Sequence, residues 1–173
     1  MKYLGIATLC AVLALASAAQ ADDGTWTGSI AGLGPDSGNA VFITHADQAP
    51  HAGWFTVTAT NTGTQPWGDF HFEIYDPIGG QDISNVDWQV DPPYTPISSQ
   101  NPFTWAVDNV SVGAKLDLFF YTDPVNPGGT ATFQVHNTNP DQLSFFGLKI
   151  YPTPVPEPAS LLGLALLAFL RRR

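Results

Sequence analysis

Basic residues are scarce in this chain. Six lysines and arginines stand against fifteen acidic residues, and between positions 22 and 152 only Lys115 and Lys149 oppose fourteen acids, a net charge of −12. Phosphate backbones and anionic membrane surfaces are bound by clustered lysine and arginine. Nucleic acid is therefore excluded as a partner of this central region, whereas cations and neutral glycans are compatible with its charge.

Cysteine is nearly absent, since Cys10 is the only one. It lies in an apolar stretch, residues 4–15, which follows a lysine and leads to Ala19-Gln20-Ala21. A positive start, an apolar segment and an A-x-A site are typical of a secretory signal peptide. We predict that residues 1–21 are such a peptide, with Ala19 and Ala21 as the cleavage residues. The exported chain then holds no disulfide and depends on packing alone.

The chain also lacks the sequence patterns of common hydrolases. It has no G-x-S-x-G elbow and no H-E-x-x-H motif. A glycosidase needs two carboxylates across a cleft, and Glu73 is the only glutamate between positions 22 and 152. Glu73 shares a predicted strand face with His71, but a metal site needs three or four ligands and spacing supplies no others. We predict no catalytic residue and no metal ligand, so a secreted hydrolase is the least favoured hypothesis.

Long apolar runs are missing as well. Residues 159–170 form a run of 12 residues, which is about 18 Å as a helix, whereas a bilayer core needs roughly 30 Å. The run is preceded by Val155-Pro156-Glu157-Pro158 and followed by Arg171-Arg172-Arg173. The prolines keep the approach extended and accessible, and the arginines favour the cytoplasmic face. A transient membrane span fits this pattern better than a permanent anchor.

In the order of these parts, the C terminus resembles the PEP-CTERM sorting signal of bacterial proteins that an exosortase processes. The resemblance is confined to residues 155–173. It implies that 153–173 are a sorting signal, that an exosortase-type enzyme is a partner, and that the protein enters the inner membrane transiently. It also implies delivery to the cell surface or beyond, in association with exopolysaccharide or biofilm.

Alternating apolar and polar residues predict eight or nine strands between positions 22 and 152. They are Thr25–Ala31, Asn39–Thr44, Gly53–Asn61, Asp69–Tyr75, Val86–Val90, Phe103–Val107, Lys115–Tyr121, Thr130–Asn137 and Phe145–Tyr151. Turns rich in glycine, proline, asparagine and aspartate separate them. The pattern predicts an all-β fold, a two-sheet antiparallel β-sandwich of immunoglobulin-like or jelly-roll order. A signal peptide and a short C-terminal hydrophobic helix are expected to flank it.

Aromatic residues provide candidate ligand contacts. Trp88 is in phase with apolar neighbours and is expected in the core, and Trp67 after Pro66 is expected in a turn. Trp54, Phe119 and Tyr121 are in the outward phase of their strands. Exposed rings in one patch stack on sugars, so these three are candidate glycan contacts.

Acidic loops suggest calcium as an alternative ligand, although we predict no cofactor. The oxygen-bearing side chains fall between positions 76 and 91 and are those of Asp76, Asp82, Asn85, Asp87 and Asp91. Calcium favours such ligands from flexible loops, but this spacing is not that of an EF-hand. A solvated acidic surface explains the same residues.

Three hypotheses follow from the sequence. The leading one is a non-enzymatic cell-surface or extracellular-matrix protein that is sorted through its C terminus. The second is a carbohydrate-binding module that uses the outward aromatic rings, and the third is the secreted hydrolase.

Overall fold

The computed structural model describes residues 23–156, which form ten β-strands. Their bounds are β1 Gly24–Ile30, β2 Val41–Ala46, β3 Ala52–Asn61, β4 Trp67–Tyr75, β5 Asp87–Gln89, β6 Ile97–Ser98, β7 Thr104–Asp108, β8 Lys115–Phe119, β9 Thr130–Thr138 and β10 Phe145–Pro154. The predicted all-β class is confirmed, and β6, a strand of two residues, is the addition. The cleavage residues Ala19 and Ala21 lie outside the described residues, as do Glu157, Pro158, Arg171, Arg172 and Arg173.

The strands form two sheets. Sheet A has the order β1-β3-β9-β5, with β6 also on β9, and sheet B has the order β2-β10-β4-β8-β7. Only β1 and β3 pair in parallel; the other pairs are antiparallel. Because β2 pairs with β10, β3 with β9 and β4 with β8, the first strands wrap against the last in nested fashion. Of the two predicted orders, this is the jelly roll.

The core lies between the two sheets. It consists of the side chains at alternate strand positions, which point inward. Phe55 and Val57 of sheet A belong to one buried cluster with Phe70 and Phe72 of sheet B. The rings of Phe70 and Phe133 join the sheets directly, with centroids 4.7 Å apart. Alternating burial along β3, and along β4 from Phe70 to Tyr75, therefore follows from period-two packing against one shared core.

The expectation that Trp67 lies in a turn is wrong. This residue begins β4 and is fully buried. Its backbone N–H donates to the carbonyl of Val125, whose N–H donates back to Trp67 at 3.0 Å. Pro66 therefore marks the entry to a strand, and the large ring packs into the core, where Trp88 also lies as expected.

The last strand extends past the predicted end of the domain. Thr153 pairs with Asp69 and Pro154 with Trp67, and the N–H of Val155 donates to the carbonyl of Pro66 at 3.3 Å. The start of the predicted sorting motif is thus held against the sandwich.

Within residues 23–156, no helix is long and apolar enough to cross a membrane.

Candidate functional site

The outer face of sheet B carries a polar network in register rows. His71 of β4 stands between Asp117 of β8 and Tyr151 of β10. In the next row, Glu73 stands between Lys115 and Lys149. Opposite-charge neighbours on adjacent strands stabilise a sheet. We call Asp69, His71, Glu73, Lys115, Asp117, Lys149, Tyr151 and Thr153 the polar network.

His71 is clamped by two carboxylates. Its Nδ1 lies 2.6 Å from Asp117 and its Nε2 lies 3.2 Å from Asp69, while its ring stacks on Tyr151 at 4.7 Å. Burial lowers the pKa of the imidazole, but the hydrogen bonds to Asp117 and Asp69 outweigh this effect and raise the pKa to about 9. His71 is therefore a cation at neutral pH, and both ring nitrogens donate.

Asp69 joins the polar network to the end of β10 and to an aromatic side chain. Its Oδ1 accepts from the backbone N–H of Thr153 at 3.0 Å and from the Thr153 hydroxyl, and its Oδ2 accepts from the Tyr121 hydroxyl at 3.1 Å. Burial raises the pKa of this carboxyl, yet the hydrogen bonds from His71, Thr153 and Tyr121 bring the pKa below its usual value. Asp69 is a buried anion with its acceptor sites occupied.

Glu73 is occupied in the same way. Lys149 Nζ donates to one oxygen at 2.9 Å, the Tyr151 hydroxyl donates to the other at 2.8 Å, and Lys115 Nζ lies 3.4 Å from the latter. Burial raises the pKa of Glu73, but these cations and donors lower it further than burial raises it. A general acid needs a raised pKa and a clear approach to substrate. The carboxyl of Glu73 has a lowered pKa and is held by its neighbours.

An aromatic groove of about 440 Å³ adjoins the polar network. Six residues line it, which are Pro102, Phe103, Thr104, Phe119, Tyr121 and Thr122. The rings of Phe119 and Tyr121 lie 5.9 Å apart, tilted by 38°, and Tyr121 is 42% exposed. The Tyr121 hydroxyl donates a hydrogen bond to Asp69, which fixes the orientation of the ring at the edge of the groove. Two of the three candidate glycan contacts thus meet in one groove.

Trp54 lies elsewhere. It stands on β3 of sheet A in the outward phase, opposite His136 of β9, whereas Phe119 stands in the outward phase of sheet B. The two sheets pack through their inward faces, so these positions lie on opposite sides of the sandwich. Trp54 contacts the ring of His136 at 5.2 Å and that of Tyr94 at 6.4 Å. The three predicted contacts therefore do not form one patch.

The acids suggested for calcium are dispersed among local turns. Asp76 accepts backbone N–H bonds from Ile78, Gly79 and Gln81, and Asp82 accepts one from Ser84. The pKa of Asp87 is raised by burial, which disfavours its charged form. Among residues 23–156, no three histidine, cysteine, aspartate or glutamate side chains converge in a way that could hold a metal ion. A second groove, of about 420 Å³, has Asp91 as its one acidic lining residue, beside polar residues such as Gln89 and Asn109 and apolar ones such as Trp88 and Tyr94.

Sequence reasoning missed three contributors to the site. Phe103 and Thr104 fall within the predicted strand Phe103–Val107 and Asp117 within the predicted strand Lys115–Tyr121, but none of the three is predicted as a site residue. The register brings Asp117 beside His71 and Thr104 beside Phe119. A polar residue at position 117, between Leu116 and Leu118, was the available signal. The positions on the facing strands could not be derived without strand order.

Comparison with known proteins gave no relative. No protein-family model, no curated protein and no solved structure matches this chain.

Proposed function

We propose that this is an exported, non-enzymatic cell-surface or matrix protein that binds neutral polysaccharide in its aromatic groove. The observation that carries the proposal is the juxtaposition of Phe119 and Tyr121 in an open groove beside Asp69 and Thr104. Sugars offer apolar ring faces and hydroxyl edges. A groove with planar rings and the adjoining threonine hydroxyls of Thr104 and Thr122 complements both.

The distribution of charge supports a neutral ligand. Lys115 and Lys149 are the only lysines between positions 22 and 152, and both are paired with Glu73. An anionic polysaccharide would meet a region with a net charge of −12 and no unpaired lysine or arginine within it. Repulsion between like charges disfavours such a complex, whereas a neutral polysaccharide is not repelled.

The terminal sequences support export and sorting. The predicted signal peptide ends at Ala21, and the pattern from Val155 to Arg173 resembles the PEP-CTERM signal. Val155 and Pro156 directly follow β10 and remain at the surface of the sandwich. In this proposal an exosortase-type enzyme recognises Val155, Pro156, Glu157 and Pro158 and releases the sandwich from its tail. The polysaccharide-binding groove would then act outside the cell.

The first test is binding of the purified protein to the producing organism's own polysaccharide and to defined neutral glucans. We expect Tyr121→Ala to weaken binding by about tenfold, equivalent to about 1.4 kcal/mol, because it removes the exposed ring. Tyr121→Phe keeps the ring and should bind nearly as well. Isothermal titration or affinity electrophoresis gives the dissociation constants.

Trp54→Ala is the matched control, because it removes an aromatic ring from the opposite side of the sandwich. Loss of binding in Trp54→Ala with retention in Tyr121→Ala would contradict the groove and favour sheet A. Absence of saturable binding in the wild-type protein would refute polysaccharide binding altogether. Repeating the titration with a chelator tests the calcium alternative directly.

A further inference from the structure

The outer face of sheet A carries a regular array of hydroxyl groups. Inward residues of β3 and β9 are buried, so the alternate residues point outward. Apart from Thr138, which lies at the end of β9 opposite Ala52, eight outward positions on three adjoining strands bear a hydroxyl. They are Thr25, Thr27 and Ser29 of β1, Thr56, Thr58 and Thr60 of β3, and Thr130 and Thr132 of β9. We call these eight residues the threonine face.

The register aligns these hydroxyls in rows across the sheet. Thr27 is opposite Thr58, which is opposite Thr132. Ser29, Thr60 and Thr130 form the next row. The hydroxyls of Thr58 and Thr132 lie 3.2 Å apart, and those of Thr60 and Thr130 lie 2.9 Å apart. Rows repeat about every 6.7 Å along a strand, and strands about every 4.8 Å across the sheet.

The same three strands contain no acidic residue, lysine or arginine. This is unexpected in a region with fourteen acids. Their one histidine, His136, has a pKa lowered by burial and packs against Tyr94 at 4.0 Å. An outward sheet face that serves only to solvate the protein is expected to share in the surface charge. The absence of charge from these strands indicates an uncharged partner.

From this array we infer that the threonine face binds the surface of crystalline ice. Ice presents an uncharged lattice of water oxygens, and each threonine hydroxyl donates one hydrogen bond and accepts others. Threonine is stiff at χ1, so the array is ordered before binding and little side-chain entropy is lost. Methyl groups between the hydroxyls limit competing hydration. A repeating rigid array can match a repeating lattice, whereas it offers no pocket for a single small molecule.

Other occupants fit less well. Polysaccharide recognition uses planar rings, and the eight positions hold none. The ring of this face, Trp54, lies at the border of the array and packs against His136 and Tyr94. A second copy of the chain would need an apolar interface core, which hydroxyl groups do not supply. This site is distinct from the aromatic groove, which lies on the other sheet, so either proposal can fail without the other.

The test is ice growth in solutions of the full purified protein. We expect the wild type to shape ice crystals and slow recrystallisation. Thr58→Lys, which places a long cation at the centre of the array, should raise the concentration needed by about tenfold. Thr44→Lys makes the same change on an exposed position of β2 in sheet B and should leave the effect intact. Unchanged unfolding midpoints would establish that both variants are folded.

Several results would overturn the inference. One is wild-type protein with no more effect on ice than an equal mass of albumin. Another is equal loss of activity in Thr58→Lys and Thr44→Lys. Binding to crystalline polysaccharide that depends on Thr58, without any effect on ice, would assign the face to a different partner.

Discussion

At the scale of single residues, His71 determines how the outer face of sheet B responds to pH. It is a cation between two carboxylates in a half-buried site, and its pKa is raised to about 9. A raised pKa in the folded state stabilises the fold while the group is protonated in both states. That contribution is complete below about pH 6.5 and is lost as the pH rises through about 9. Asp69, whose pKa is lowered, contributes above about pH 4 and loses its contribution as the pH falls.

The protein is therefore expected to be most stable between about pH 4 and 6.5. Its free energy of unfolding should fall by on the order of 2 kcal/mol between pH 6.5 and 9.5, as the His71 proton is released. His71→Gln should be less stable at pH 6, because Asp69 remains a buried anion without its cation, and should lose most of that decline. Urea denaturation across this pH range measures both effects. An unaltered pH slope in His71→Gln would show that another group carries it.

At the scale of strands, β10 connects the core of the sandwich to the predicted sorting motif. It pairs with β2 on one side and β4 on the other. The C-terminal end of β10 is held by Thr153, whose backbone N–H and hydroxyl both donate hydrogen bonds to Asp69. Val155 also packs closely against Gly68 of β4. A Cβ added at Gly68 would lie only 2.8 Å from the Val155 Cα, so the position has no room for a side chain. The strand thus holds Val155, the first residue of the predicted motif, at a fixed place on the sandwich.

Thr153→Val tests this attachment. It removes the hydroxyl that donates to Asp69 but keeps the size and β-branching of the side chain. We expect a loss of about 1–2 kcal/mol in the free energy of unfolding and faster hydrogen exchange at the amides of Thr153 and Val155. Thr44→Val, on the exposed edge strand β2, is the matched control and should change neither. If exchange at Val155 does not accelerate, the hydrogen bond does not hold the end of β10.

At the scale of the whole molecule, charge and apolar surface are sorted into regions. Sheet B gathers both lysines of the described residues into the polar network, and sheet A presents the uncharged threonine face. The remaining acids occupy turns and loops, apart from Asp87 of β5 and Asp108 of β7. The most exposed apolar side chains lie in the loop between β7 and β8, where Val110 is 97% and Val112 is 74% exposed, and others lie on edge strands of sheet B, such as Phe42 and Trp105. Such segregation permits two separate binding surfaces on one small sandwich, each on the outer face of its own sheet.

Processing is a prediction for the whole chain. If the C-terminal pattern functions as a sorting signal, the protein recovered from the outside of its native host should lack Arg171, Arg172 and Arg173. The short apolar run, about 18 Å as a helix, favours removal over permanent anchoring. Mass spectrometry of the native protein determines its C-terminal residue. An intact Arg173 on exported protein would contradict processing, and replacing Glu157 with Gln offers a test of motif recognition.

The sequence by itself determined the all-β class, nearly every strand and the buried faces, because side chains alternate with period two and a half-buried strand records this alternation locally. It also carries the terminal patterns on which the predicted signal peptide and sorting signal rest, because such signals are linear patterns. Only the tertiary structure decided that the order is a jelly roll, that Trp54 lies opposite Phe119 and Tyr121, and that His71 lies between Asp69 and Asp117. These facts depend on which strands become neighbours and in what register. Pairing between β4 and β8 or β10 joins positions tens of residues apart, and no local pattern specifies such contacts.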